Sequence, residues 1–336
     1  MDAVALYEEA LAKDGSLAGH YNRNVRVEAA SGPVVVRTRS GAGDAMDLTL
    51  WPEAELLAAI GPYVPSAPRL MHVGVDPDFQ IHEFVEGRRI DDLAPDGSPL
   101  PPKVRADIEG FFGRLLRVPV GVLPAVPDDW PADGDTEAFA LRLLQLVRDI
   151  RQRDGAAVGG LYKALGIPDD PCGQLRSRAA DLTERPFRLL HADIHRKNMI
   201  LTDRNEVAFL DWELALLGDP VYDLADHLHK MSYPSEDRRL ITAAWERAAP
   251  PECSRQWRSA LDYYLAFEAV KSAVVDTVRW SHRIAGAAAG PERSALAREL
   301  ADKIATAAPH WDSGAPGTPG PREVEAVVDH WLSRNG

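Results

Sequence analysis

Cysteine is scarce in this 336-residue chain: there are two, Cys172 and Cys253, far apart and with no C-x-x-C or metal-ligand spacing. That excludes a disulfide framework and fits a reducing compartment. No apolar run approaches the roughly 20 residues that span a bilayer. The first residues, Met1-Asp2-Ala3-Val4, lack a basic segment followed by an apolar stretch, so no signal peptide is expected. Positive charge is also in deficit. Lys and Arg number 38 against 51 Asp and Glu, for a net charge of −13. This balance argues against nucleic acid as a partner, because binding it requires cations that neutralise phosphates. These deficits together predict a cytoplasmic protein with no membrane or nucleic-acid partner. What is present is 45% apolar residues, enough for one large or two modest cores, and 26 prolines and 25 glycines, which imply many loops without a disordered composition.

The chain divides into two parts of different character. Residues 1–13 carry a weak apolar helical face, and two β-like runs follow, Asn24–Ala29 and Pro33–Arg39, turned at Ser31-Gly32. Trp51-Pro52 opens a helix through Ile60, with Pro in the first turn, and Arg69–Gly74 and Phe79–Val85 read as strands. From Lys103 helical periodicity dominates, with Val104, Ile108, Phe111, Phe112 and Leu115 on one face and a second amphipathic helix over Phe139–Val147. One later stretch is strand-like: Phe187–Leu190, Met199–Thr202 and Val207–Asp211, the last two joined by a polar turn. Helices are expected over Arg239–Ala248, Ser259–Ile284, Ser294–Ala307 and Glu323–Leu332, the last after a Pro/Gly linker, Pro309–Pro321. The expected fold is α+β and bilobal: a small β-rich lobe over 1–90, then a larger, mostly helical lobe over 91–336 that contains a hairpin.

Chemistry-bearing residues concentrate in and beside that hairpin: His191-Ala-Asp193-Ile-His195-Arg-Lys-Asn198, then Asp211-Trp212-Glu213. A tight hairpin sets the start of one strand beside the end of the other, so Asn198 and Asp211 should face each other. An amide oxygen and a carboxylate are hard ligands suited to Mg²⁺, which keeps its other positions for water and phosphate. Asp193, five residues before Asn198, then lies near the ion without ligating it and can orient an attacking hydroxyl or take its proton. Those are the parts that phosphoryl transfer requires.

These segments resemble the catalytic and metal-binding motifs of the aminoglycoside phosphotransferase family, small-molecule relatives of the protein kinases. The Asp193-to-Asn198 interval matches the kinase catalytic loop, Asp211-Trp212-Glu213 stands for Asp-Phe-Gly, and Gly218-Asp219-Pro220-Val221-Tyr222-Asp223 matches the family's next landmark. The resemblance implies a protein-kinase-like fold, ATP or GTP as donor, Mg²⁺, a small-molecule hydroxyl as acceptor, and an antibiotic-resistance kinase as a reading of function. It makes Asp193 catalytic, Asn198 and Asp211 metal ligands, and Asp223 a brace for the loop, with His191 structural. It also calls for a phosphate-gripping strand cation and a helix glutamate. The strand has no lysine, so Arg37 with Glu53 fills that place, with Arg39 and Glu55 as alternatives. Arg suits the task because its fork grips phosphate bidentately. The phosphate-covering turn falls on Gly15 and Gly19–Asn24, poor in glycine beside G-x-G-x-x-G, with Asn22 a phosphate contact. The base is expected on the Gln80–Gly87 connector, at the backbone of Glu83 and Val85. Glu268 and Asp276, on a second-lobe helix, are candidates to hold an acceptor's ammonium group; internal ion pairs on a solvated helix face are the alternative.

Other readings stay open. His195 serves either as a phosphate or substrate contact or as a brace for its loop. A metabolite kinase for choline, a sugar or an amino alcohol would use the same motifs. A silent kinase-like binding protein would not need all three of Asp193, Asn198 and Asp211. His191, Asp193 and His195 with His227 and His229 also permit a Zn²⁺ or Fe²⁺ metallohydrolase, a reading that leaves Asn198 and Asp211 unexplained.

Overall fold

The structure, a computed structural model, describes residues 2–13, 22–39, 49–153, 155–311 and 317–335. In chain order it begins with α1 (Ala3–Ala12), β1 (Asn22–Ala29), β2 (Gly32–Arg39), α2 (Glu53–Ile60), β3 (Leu70–Val75) and β4 (Asp78–Glu83). Then come β5 (Gly87–Arg89), α3 (Ile90–Leu93), α4 (Pro102–Leu115), α5 (Thr136–Arg153), α6 (Gly155–Ala164) and α7 (Gly173–Arg178). The site region holds β6 (Arg188–Leu190), β7 (Met199–Thr202), β8 (Val207–Phe209), β9 (Leu216–Gly218), α8 (Pro220–Lys230) and α9 (Ser235–Ala248). The chain closes with α10 (Trp257–Gly286), α11 (Pro291–Ala307) and α12 (Pro321–Asn335). Among the described residues no helix is long and apolar enough to cross a membrane.

Packing gathers these elements into two compact units. One comprises the described residues up to Trp130 together with Pro186–Ser254; the other comprises Pro131–Arg185 and the residues from Arg255 onward. In the first unit β1–β4 form an antiparallel sheet of order β1-β2-β4-β3. Alternation sends Val25, Val27, Val34, Val36, Phe79 and Ile81 to one face, where Leu6 and Ala10 of α1 cover them. Registered partners share a face, so Arg37, opposite Gln80 and Asn24, points to the other one. Period 2 thus separates the core from the functional side of a single strand.

The hairpin β7–β8 is registered Met199↔Phe209, and β5 adds to its outer edge, while β6 pairs separately with β9. Helix α4 buries its expected face beneath it. Phe111 stacks on Phe209 with ring centres 3.7 Å apart and meets Trp212 edge-on at 5.8 Å. Removing a fully buried Phe of this kind costs about 3–5 kcal/mol. The second unit is helical: α10 runs 30 residues, and Tyr162 of α6 donates its hydroxyl to the Val274 carbonyl at 3.1 Å.

Several elements differ from the sequence expectation. The second hairpin strand stops at Phe209 instead of Asp211, because Asp211 takes a left-handed conformation, φ 65°. Strands β5 and β9, three residues each, are too short to show alternation. Helix α6 carries Gly155, Gly159 and Gly160, poor helix formers. Helix α8 does announce itself: Asp219 caps the Val221 N–H at 3.1 Å and Pro220 takes the first position.

Candidate active site

Two cations organise the site, both in the first unit. Arg37 leaves β2 on the face away from the core and meets Glu53, the first residue of α2, at 2.8 Å. Its second terminal nitrogen reaches Asp211 Oδ1 at 2.8 Å and Glu213 Oε2 at 2.9 Å. Glu53 in turn accepts the Trp212 backbone N–H at 3.0 Å, which ties α2 to the segment after β8. Glu55, two residues further along the helix, is exposed, so the pair is Arg37–Glu53. The side chain of Arg39 lies outside the described part of the structure. Burial alone would lower the Arg37 pKa, but Glu53, Asp211 and Glu213 overcome that and raise it further above its usual range. Burial pushes Glu213 up to about 7, with Asp211 adding repulsion, and raises Asp211 as well. His82, opposite Val35 on the Arg37 face, is pushed down to about 4 by burial and then by Arg37.

The second cation, Lys230, closes α8. Its ammonium bonds Asp193 Oδ1 at 2.7 Å, Asp226 Oδ1 at 2.8 Å and the Ala192 carbonyl at 3.1 Å. Asn198 donates its amide to Asp193 Oδ2 at 2.8 Å and to the Asp193 carbonyl at 3.1 Å. His195 Nε2 lies 3.5 Å from the same carboxylate, and its Nδ1 accepts the Lys197 N–H. Burial would raise the Asp193 pKa; Lys230 and His195 reverse this and hold it well below the usual carboxylate range. Asp193 is therefore ionised and oriented. Asp223, at the start of α8, accepts the N–H groups of His191 and Ala192 at 3.2 and 2.8 Å, across the left-handed Ala192 (φ 58°). A non-glycine residue in that region stores strain that surrounding bonds must hold.

The expected facing of Asn198 and Asp211 is out by one residue: across the hairpin Asn198 stands opposite Leu210, whose N–H bonds the Asn198 carbonyl at 2.8 Å, and Asp211 is the next residue along. With its amide nitrogen turned to Asp193, Asn198 keeps its side-chain oxygen for another partner. Among the described residues no three His, Cys, Asp or Glu side chains converge to hold a metal ion. Two oxygen donors and no protein cage suit Mg²⁺ that shares its shell with phosphate; the donor set fits. Two histidines of the metallohydrolase reading are placed in packing and loop support. His191 is fully buried beside Trp212, ring centres 4.5 Å apart, and burial pushes it down to about 4. His227 bridges the Ile194 carbonyl and the Tyr233 hydroxyl, each at 2.8 Å.

Of the remaining candidates, Asn22 joins the cluster through Glu213 at 2.6 Å. Residues 14–21, which include Gly15 and Gly19, lie outside the described residues. Glu83 and Val85 line a cavity of about 670 Å³ shared with the β1–β2 and β7–β8 turns, which none of Arg37, Asp193, Asn198 or Asp211 lines. Glu268 and Asp276 belong to the second unit. Glu268 has no exposed surface and pairs with Lys271 at 2.6 Å, a correction to its expected role as an acceptor contact: a carboxylate so buried is committed to its partner. Asp276 pairs with Lys303 at 2.8 Å and takes the Ser272 hydroxyl at 2.7 Å. Sequence reasoning gave Glu213 a place in a motif but no role of its own, and passed over Asp226 and Lys230. Only the i, i+4 spacing of Asp226 and Lys230 gave any signal.

A small antiparallel sheet joined to a carboxylate-bearing hairpin and helices is the architecture of protein-kinase-like phosphotransferases. Comparison makes that specific: the model of the phosphotransferase enzyme family (APH) matches residues 17–263, and the chain belongs to that family. A choline/ethanolamine kinase family protein from Mesorhizobium loti superposes with a TM-score of 0.57 at 15% identity, over 98% of this chain and 100% of that one. The macrolide 2'-phosphotransferase MphH of Brachybacterium faecium gives 0.53 at 17% identity, over 88% and 97%. A thermostable mutant of aminoglycoside phosphotransferase APH(4)-Ia, in ternary complex with ADP and hygromycin B, gives 0.52 at 14% identity, over 98% of each chain. At such identities these likenesses establish the fold. No match is found among curated proteins.

Proposed function

We propose that the protein is a Mg²⁺-dependent small-molecule kinase that transfers the γ-phosphoryl group of ATP or GTP to a hydroxyl, working in the cytoplasm. One observation carries this reading: the Asp193 carboxylate, held by Asn198 and Lys230, stands in the same unit as the Arg37–Glu53–Asp211 cluster. In this reading the acceptor oxygen bonds the γ-phosphorus, the bond to the β,γ-bridging oxygen breaks, and the nucleoside diphosphate leaves. Asp193 orients the hydroxyl and takes its proton. Arg37, positioned by Glu53, grips the phosphates, and Asn22 adds a contact. Asn198 and Asp211 would hold Mg²⁺, which when bound neutralises phosphate charge. Glu83 and Val85 would receive the base on their backbone, within a nucleotide lobe over 1–90; residues 91–336 would carry the loop and the acceptor site. His191 and Asp223 support the loop, and His195 stays a candidate substrate contact.

The acceptor we favour is a hydroxyl-bearing cation, because a net charge of −13 raises the local concentration of cations. An amino-sugar or peptide antibiotic and an amino alcohol both answer that description, and the antibiotic is the preferred arm. A nucleotide-consumption screen against both kinds of molecule, followed by mass spectrometry for an added phosphoryl group, decides between them. Consumption with no acceptor from either class rejects the cation, and absence of nucleotide binding and consumption rejects the kinase. Calorimetry of Asp211→Ala tests the metal site: Mg²⁺-dependent triphosphate binding should disappear while the fold persists, and unchanged affinity sinks that assignment.

A further inference from the structure

The proposed catalytic carboxylate is held by a side chain outside its own loop. Lys230 stands 37 residues beyond Asp193, in the last turn of α8. An ammonium has three N–H bonds, and three oxygens surround this one: Asp193 Oδ1, Asp226 Oδ1 and the Ala192 carbonyl. Asp226, one turn earlier in α8 and fully buried, anchors it. The Lys230 side chain as a whole still keeps 22% exposure. The loop's own arginine is committed elsewhere: Arg196 is buried and bonds the carbonyls of Ala94, Ser98 and Met231. Arg37, the other cation of the site, is shared among Glu53, Asp211 and Glu213.

Electrostatics gives this placement a purpose. An anionic phosphoryl group must come within bonding distance of the oxygen that Asp193 orients, and a carboxylate without a counter-charge repels it. We propose that Lys230 is a positioning residue of phosphoryl transfer, an inference that rests on the kinase reading: clamped between Asp193 and Asp226, its ammonium fixes the orientation of the Asp193 carboxylate and offsets its charge as the phosphoryl group approaches. Lys230 keeps its proton throughout, and the bonds made and broken are those between the γ-phosphorus and the two oxygens named above.

The test uses the full chain and Mg-ATP or Mg-GTP, with water as the acceptor, and reads turnover, nucleotide affinity by calorimetry and melting temperature. Lys230→Met should lower turnover between about ten-fold and a hundred-fold while nucleotide affinity stays within about three-fold. Lys230→Arg, which keeps the charge, should recover most of that loss. In an Asp193→Asn background, Lys230→Met should cost no more than about two-fold further, because residues acting through one another are not additive. Wild-type turnover in Lys230→Met overturns the inference, and so does a full additional loss in the Asp193→Asn background, which marks a purely structural role. If Lys230→Met fails to fold because Asp226 is left as an unpaired buried charge, the Lys230→Met/Asp226→Asn pair removes both charges and carries the same expectation. A wild-type protein that neither binds nor consumes nucleotide overturns the kinase reading itself, a failure visible before any variant is made.

Discussion

The sheet side and the loop side of the site solve one problem with different materials. On the sheet side Arg37, 11% exposed, gathers Glu53, Asp211 and Glu213 from positions 16, 174 and 176 residues away. On the loop side Lys230, 22% exposed, gathers Asp226 from its own helix and Asp193 from 37 residues back. A guanidinium is a rigid planar fork that can serve several oxygens in fixed directions, whereas an ammonium is a compact point charge on a flexible stem. The fork therefore stands where three chain segments must be joined, and the point charge where one carboxylate must be held. Long-range joining makes Arg37 structural as well as functional. Lys230 is anchored locally, within α8, but its loss would leave the fully buried Asp226 unpaired, so its turnover must be read beside its melting temperature.

The sharpest separation of the two sides comes from Asp193→Asn. It should lower turnover by on the order of 10²–10⁴ and leave nucleotide affinity within a few-fold, since its proposed partner is the acceptor hydroxyl. Retention of more than about a tenth of wild-type turnover breaks the assignment. Next is Arg37→Ala, which should weaken nucleotide binding and turnover together and also cost about 3–5 kcal/mol of stability, because Glu53 is left buried and unpaired. Denaturant unfolding beside calorimetry reads both effects. A loss of affinity without a loss of stability would unmake the contrast drawn above.

Smaller effects concern the support beneath the loop. The His191 pKa is lowered from 6.5 to about 4, so between those values the unfolded chain binds a proton that the folded one refuses. Stability is complete above pH 6.5 and falls as pH drops through that window. His191→Leu should make the decline shallower by about one proton, or about 1.4 kcal/mol per pH unit. Parallel pH profiles for wild type and variant would show that His191 titrates normally. Least of all, Ala192→Gly should change stability by less than about 1 kcal/mol, because relief at φ 58° opposes the extra freedom of the unfolded chain. A larger loss, read as a melting shift, would mean that the Ala192 methyl packs as more than a spacer.

Much of this site was legible because its residues lie close together in sequence. Asp193, Asn198 and Asp211 fall within 19 positions, on one loop and one hairpin, so spacing alone brings them to one place. The Arg37–Glu53 pair was legible only through the family resemblance, which left Arg39 and Glu55 open; in the structure Arg37 alternates with the core valines Val34 and Val36, and Glu53 opens the helix that follows. Lys230 was not, because its partnership with Asp193 depends on how α8 packs, which no local pattern encodes. Glu268 failed for a related reason. Its position on an amphipathic helix suggested an open face, yet α10 is buried along most of its length and its charges pair inward. Strand β5, Gly-Arg-Arg, was silent because it has no apolar residue to mark it, unlike the equally short β6 and β8.

That strand has a kinematic consequence. Gly87, φ 150°, stands where any Cβ would lie 2.3 Å from the Leu201 carbonyl oxygen, so only glycine lets the connector press against the β7–β8 hairpin. From Gly87 onward the connector is laddered to β7 and must travel with it, while up to Glu83 it is laddered to β2 and must travel with the sheet. Any rotation of the sheet against the hairpin therefore has to be absorbed at Phe84, Val85 and Glu86. The pivot would be three residues long, and it would coincide with the stretch proposed to hold the nucleotide base.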